Sequence, residues 1–355
     1  MKKFILSIIA CTAFFSLQAQ VIEGTVYDAK TREALIGVVI YLDGTSIYST
    51  SDIDGKFRLV AEKKINTRLV LSHLSYEPLI IENPFEQRVN LFYLEEKLNV
   101  LIEAKVVADR FSREEKMKVF REQFLGTNAG GKSCTIINED DIWLEFDLET
   151  NTLVGHAKKP VVVDNKYLAY RITFDLHSFE IQYLERTLKI DKAVKVSFKG
   201  TSSFTDQSSY NTLYKKRREE AYLRSPQHFW NSLTEGRLDE EKFRINNRFR
   251  QVKAEQYFIV SNVRSQKEVI IIPDTDINRR HPSAHVMEGS IYGVIGITYK
   301  ANYSSEVVFL TNRFSIDDYG NPDNVDNLMF FGDMGDQRLG DMLPMNYKYA
   351  PNVAL

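Results

Sequence analysis

His281 and His285 stand four apart in the run Arg279-Arg280-His281-Pro282-Ser283-Ala284-His285, with Asp274 and Asp276 just upstream. Imidazoles and carboxylates are the donors that hold zinc or another divalent ion, and one loop can gather them. No second carboxylate–histidine pair fixes the geometry, so a polar surface loop is the competing reading. His177 and Glu180 have the His-x-x-Glu spacing that zinc peptidases use. They fall in a strand-like run, where side chains three apart point to opposite faces, so they converge only if the strand is interrupted. Cys134 lies in the strand-like Ser133-Cys134-Thr135-Ile136-Ile137 and reads as a buried thiol rather than a nucleophile. His228, beside Phe229 and Trp230, reads as helix packing. The chain has no Gly-x-Ser-x-Gly elbow, no His-Glu-x-x-His and no phosphate-binding glycine loop. No catalytic residue, cofactor or firm metal ligand is therefore assigned.

The other chemistry available is stacking. Trp143 and Trp230 are the two tryptophans, and with the many tyrosines they are candidates for a sugar-stacking platform. Alternation through Ile142, Leu144 and Phe146 puts Trp143 on the opposite face from those three, so its exposure decides the matter.

These residues sit in a chain of 355 residues, a length that suggests about two domains. Hydrophobic residues at 43% and charged residues at 26% are those of globular domains rather than disorder. A net charge of −2 gives no electrostatic reason to expect nucleic acid. The 22 Phe and 18 Tyr favour strands. Residues 1–19 read as a signal peptide: Lys2 and Lys3, an apolar stretch from Phe4 to Phe15, then Ser16-Leu17-Gln18-Ala19 before Gln20. Ile8-Ile9-Ala10-Cys11 offers lipidation at Cys11 as a rival, but the apolar run continues through Phe14 and Phe15. Cleavage leaves Cys134 alone, without an intramolecular disulfide. No later segment is apolar enough to span a bilayer, so membrane association is expected to be peripheral or through a partner. The expected place is the periplasm or the outer membrane's surface.

Residues 20–95 show seven short apolar or alternating runs: Val21–Tyr27, Ile36–Leu42, Ser46–Ser51, Lys56–Val60, Arg68–Leu74, Pro78–Ile81 and Arg88–Leu94. Turn residues such as Asp43-Gly44, Asp52-Ile53-Asp54-Gly55 and Asn83-Pro84 separate them, which predicts a seven-stranded β-sandwich. Gly37 is expected to relieve crowding at a strand entry and Gly55 to take positive φ. Asp52 and Asp54 lack a following bidentate Glu and read as a turn rather than a calcium loop. Residues 96–111 are a connector leading towards Val106-Val107, and 112–355 read as a larger β-rich α+β domain. Its helices are expected near 112–125, 210–221 and 225–236. Ser112 and Glu115 form a capping box, Met117, Phe120 and Phe124 give the first helix its apolar face, and Ser225-Pro226 opens the third. Lys215-Lys216-Arg217-Arg218-Glu219-Glu220 reads as a solvated helix face. The helical segments between Tyr210 and Gly236 are a possible internal boundary, and the Gly-, Asp- and Asn-rich tail from Tyr319 is expected to be irregular.

Four blocks carry a resemblance: Gly24–Asp28, Glu33–Ile40, Ser49–Phe57 and Leu69–Glu77. In that order they resemble the carboxypeptidase-regulatory-like domain of exported Bacteroidota proteins, a module that also precedes many TonB-dependent outer-membrane receptors. Ser75 stands where that family often has Gly. The resemblance implies a transthyretin/prealbumin-like sandwich without catalytic residues. Further blocks, Ser112–Gly126, Asn165–Phe179, Arg218–Phe229 and Leu343–Tyr347, resemble envelope proteins that carry this module before an uncharacterised β-rich domain. The expected function is a non-catalytic envelope protein that binds a protein partner or an extracellular glycan or peptide, accessory to a TonB-dependent uptake system. The alternatives are a carbohydrate-binding module at Trp143 and Trp230, and a metal-dependent hydrolase at the His281/His285 loop.

Overall fold

A computed structural model describes residues 19–86, 90–97, 110–209, 211–247, 250–263, 266–272 and 291–350. The chain is mainly β, with an N-terminal sandwich and a larger β-rich remainder.

The first unit has strands β1 (Gln20–Asp28), β2 (Val39–Leu42), β3 (Tyr48–Thr50), β4 (Lys56–Ala61), β5 (Leu69–His73), β6 (Tyr76–Ile81) and β7 (Leu91–Leu94). They form two sheets, β4-β1-β7 and β3-β2-β5-β6. Strand β4 shows the cause: Phe57, Leu59 and Ala61 point inward and are buried, while Lys56, Arg58 and Val60 face water. Val26, Ile40, Leu42, Phe57, Leu71 and Phe92 fill the space between the sheets. Each large side chain so buried contributes roughly 1.5–3 kcal/mol. Gly55 has φ +75° as expected. Gly37 corrects its expectation: nothing lies within 4 Å of where a Cβ would stand, and its φ of +77° is what requires glycine. Asp52 caps its own turn, accepting from the Asp54 and Lys56 amides at 2.9 and 2.8 Å.

The second unit has helices α1 (Arg113–Leu125) and α2 (Ala129–Lys132) and strands β8 (Cys134–Ile136), β9 (Ile142–Asp147), β10 (Thr152–Ala157), β11 (Val161–Asn165), β12 (Tyr170–Tyr183) and β13 (Ala193–Asp206). The α1 capping box forms: the Glu115 amide donates to Ser112 Oγ at 3.3 Å, and the Ser112 amide donates to Glu115 Oε2 at 2.8 Å. Met117, Phe120 and Phe124 pack onto a six-stranded sheet ordered β8-β11-β12-β10-β9, with β13 on the far side of β12. A β-bulge at His177 splits β12: Ile172, Phe174 and Leu176 point inward before it, Phe179, Ile181 and Tyr183 after it. Gly200 faces this irregularity, and a Cβ there would come within 2.1 Å of the Asp175 carbonyl oxygen.

The third unit has helices α3 (Thr212–Tyr222) and α4 (Pro226–Thr234) and strands β14 (Phe243–Asn247), β15 (Arg250–Val252), β16 (Phe258–Val263), β17 (Gln266–Ile271), β18 (Gly293–Tyr299), β19 (Tyr303–Phe309), β20 (Arg313–Ile316) and β21 (Leu328–Gly332). Its sheets are β15-β14-β18-β19-β21 and β16-β17-β20. Helix α4, capped by Ser225 with Pro226 in its first turn, carries Phe229, Trp230 and Leu233 into the core with them. The tail is more ordered than its composition suggests, because β21 pairs with β19 from Leu328 to Gly332.

Arg218 overturns the solvated-face reading at one position. Its guanidinium donates to Leu168 O at 2.8 Å, to Ala169 O at 2.9 Å and to both Asp206 oxygens at 2.7 and 2.9 Å. It lies 3.7 Å over the Tyr170 ring. The neighbouring Lys215 and Lys216 remain exposed, as expected of a solvated face.

Among the described residues each unit has its own large hydrophobic core, and polar ties join them. Tyr41 OH and Thr201 Oγ1 are 2.7 Å apart across β2 and β13. Tyr319 is buried in the first unit's core although it belongs to the third. Asp317 accepts from the Asn66 amide at 2.8 Å, and Asn66 Nδ2 donates back to Ser315 O and Asn321 O at 3.1 and 3.0 Å. The chain end closes the junction: the Met345 amide donates to Gly44 O at 2.7 Å, and Gln227 Nε2 donates to Met345 O at 2.8 Å.

Candidate functional site

Among the described residues, the third unit is open along one side. Strand β15 ends one sheet and β16 ends the other, and between them lies a cleft of about 830 Å³. Leu233, Leu238, Ile245, Val252, Phe258 and Val260 form its apolar floor. Its rim carries Glu235, Asp239 and Glu255 against Arg244, Lys253 and Lys267, so the charges balance. The inward row that crosses β20, β17 and β16 runs out of cover towards the cleft. Phe314 is 2% exposed, Val269 0% and Val260 37%. Among the described residues β16 is the last strand of its sheet, so no neighbouring strand continues the row beyond it.

The β16 backbone also faces this opening. The Ile272 amide donates to Tyr257 O at 2.8 Å, and the Ile271 amide donates to Asn312 O, away from β16. With the register Phe258↔Ile271, Val260↔Val269 and Asn262↔Lys267, the antiparallel alternation makes these three the non-hydrogen-bonded pairs. The N–H and C=O groups of Phe258, Val260 and Asn262 therefore point away from β17. Among the described residues no strand pairs with that side of β16.

The two tryptophans part company. Trp143 is 48% exposed on the outer face of the second unit's sheet, opposite His156 on β10. Trp230 is fully buried, with the Phe258, Phe309, Phe314 and Phe330 rings 5.1–6.4 Å away, so it cannot stack on a ligand. Its Nε1 finds no hydrogen-bond partner, and the surrounding rings explain why.

The bulge at His177 changes the geometry expected of His177 and Glu180. It shifts the alternation by one, so both side chains lie on the exposed face. Among the described residues no group of three or more His, Cys, Asp or Glu is suited to a metal ion. His281, His285, Asp274 and Asp276 lie outside the described residues. His228 packs against Tyr222, Phe243 and Tyr299, with Nε2 3.1 Å from Glu241 Oε2; burial holds its pKa below the usual imidazole range. Cys134 is half-buried rather than buried as expected, and its partial desolvation still pushes the thiol up to about 12, leaving almost no thiolate at neutral pH. Burial raises the Asp317 carboxyl too, against the opposing pull of the donors from Asn321, Asn66 and Tyr319.

Sequence reasoning missed the cleft, because the free side of β16 is a property of sheet order. The alternation of Phe258 and Val260 with Ile259 and Ser261 marks a strand but not an edge. No helix among the described residues is long and apolar enough to cross a membrane. No curated protein matches the chain. The seven-stranded first unit and its blocks agree with a family model: residues 22–107 match the CarboxypepD_reg-like domain, a non-catalytic regulatory module.

Proposed function

We propose that this chain is a non-catalytic envelope protein that binds a partner, accessory to a TonB-dependent outer-membrane uptake system. The observation that carries the binding reading is the cleft between β15 and β16, where an apolar floor, a neutral rim and free backbone groups offer contacts rather than reactive side chains. The regulatory-like first unit supports it, since that module brings no catalytic residues. The leader-like residues 1–19 support export. The test is affinity purification of the tagged protein from detergent-solubilised envelopes, with mass spectrometry of what accompanies it. Reproducible recovery of an outer-membrane transporter or surface lipoprotein is expected. A protein that purifies alone and turns over a substrate, with activity lost on point mutation, overturns the reading.

A second reading rests on Trp143, a half-exposed indole on a polar sheet face beside His156. Such a ring suits the apolar face of a sugar. Glycan binding there would quench Trp143 fluorescence, and Trp143→Ala would abolish the change. A broad glycan panel without any change removes this reading.

A further inference from the structure

We infer that the free edge of β16 takes up an extended polypeptide segment of a partner protein as an added strand, closing the gap between the two sheets of the third unit. This rests on the reading of the chain as a binding protein and names the chemistry of what it binds.

Three observations carry it. Phe258, Val260 and Asn262 turn their backbone donors and acceptors away from β17 into the cleft. Such alternating groups, two residues apart along six residues and about 20 Å of edge, match another extended backbone, and no other common ligand repeats in that way. Val260 is 37% exposed although Val269 and Phe314 in the same row are buried, so the core row ends where a further strand would cover it. The charges on the rim are balanced, which suits a segment of low net charge rather than an anionic polymer. Alternate side chains of that segment would meet Leu233, Leu238, Ile245 and Val252, so apolar residues every second position are expected.

The cleft also decides between occupants. Strand β15 and the end of α4 stand across from β16, so the edge lies within a cleft and not on a convex rim. A second folded copy would have to bring its own recessed edge into that cleft, whereas one extended segment enters directly. A glycan would want an exposed ring, and the aromatic rings lining the cleft, Phe243 and Phe258, are 1% and 4% exposed.

The test pans a random linear heptapeptide library against the full chain and measures the best synthetic heptapeptide by titration and amide hydrogen exchange. Expected are sequences with alternating apolar residues, slowed exchange at Val260 and Asn262, and affinity at least tenfold weaker in Val260→Pro. That substitution removes a donor which β17 does not use, so the hairpin keeps its ladder. Val260→Lys, which places a charge at the apolar mouth, must weaken binding as well, and it decides the matter if the proline variant fails to fold. No enrichment, or binding indifferent to both variants, overturns the inference. Protection that rises with protein concentration alone assigns the edge to a second copy and overturns it too. If the envelope partner still accompanies Val260→Pro, partner binding stands and strand addition at β16 falls.

Discussion

Replacing Arg218 with Met tests how far α3 is welded to the second unit. The methionine keeps an apolar stem over Tyr170 and removes the guanidinium. Breaking a buried ion pair costs about 3–5 kcal/mol when the abandoned charge is sealed from water. Here Arg218's side chain is 9% exposed but that of Asp206 is 51% exposed, so water takes over much of the carboxylate's solvation. Its share falls to about 1 kcal/mol. The Leu168 and Ala169 carbonyls lose their donors, at about 1 kcal/mol each. The total is about 3 kcal/mol at pH 7. Arg218 holds the Asp206 carboxyl down at about 2, below its ordinary 3.8. A depressed carboxyl stabilises above the unfolded value and loses that contribution as pH falls through the folded one. The gap between parent and variant should therefore narrow by about 1 kcal/mol between pH 5 and pH 2, after allowance for solvent screening. Urea unfolding followed through tryptophan fluorescence measures both. Arg218→Lys keeps the charge without the fork and should recover less than half of the loss. A difference under about 0.5 kcal/mol at pH 7 would mean that Arg218 is solvated like Lys215 and Lys216, and the argument would fail.

Other outcomes follow from single contacts. Gly200→Ala should destabilise by about 3 kcal/mol, since a Cβ meets the Asp175 carbonyl and the Phe174 ring, and an unchanged melting temperature would refute the close approach. Tyr319→Ala removes a ring from the first unit's core and should cost about 3 kcal/mol; limited proteolysis should then release that unit sooner than in the parent. In Trp143→Phe the remaining emission, from buried Trp230, should shift to shorter wavelength and resist acrylamide. In a Cys11→Ser background, Cys134 should react with a disulfide reagent at pH 8 far more slowly in the folded chain than in the unfolded one, because desolvation suppresses its thiolate; equal labelling rates would contradict that.

Much of the fold was legible because its signals are local. Ser112 and Glu115 are three residues apart, so the capping box needs nothing beyond one helical turn. Ser225-Pro226 opens α4 for the same reason, and the alternation of Phe57, Leu59 and Ala61 states which face of β4 is inside. The family blocks likewise marked the first unit.

Tertiary structure decided what depends on partners distant in sequence. Trp143 and Trp230 carry the same indole, and only packing made one half-exposed and the other core. Arg218 sits in a charged run that reads as solvated, yet its partners are Leu168, Ala169 and Asp206 on strands and turns laid down earlier in the chain. One inserted residue at His177 moves the next side chains to the other face, and a period-two pattern cannot show where it resets. Tyr319 looked like tail because its apolar neighbours belong to another unit. The cleft follows the same rule. A sequence states that Phe258–Val263 is a strand, but which strand ends its sheet is settled by sheet order, and a free backbone group has no residue type to announce it.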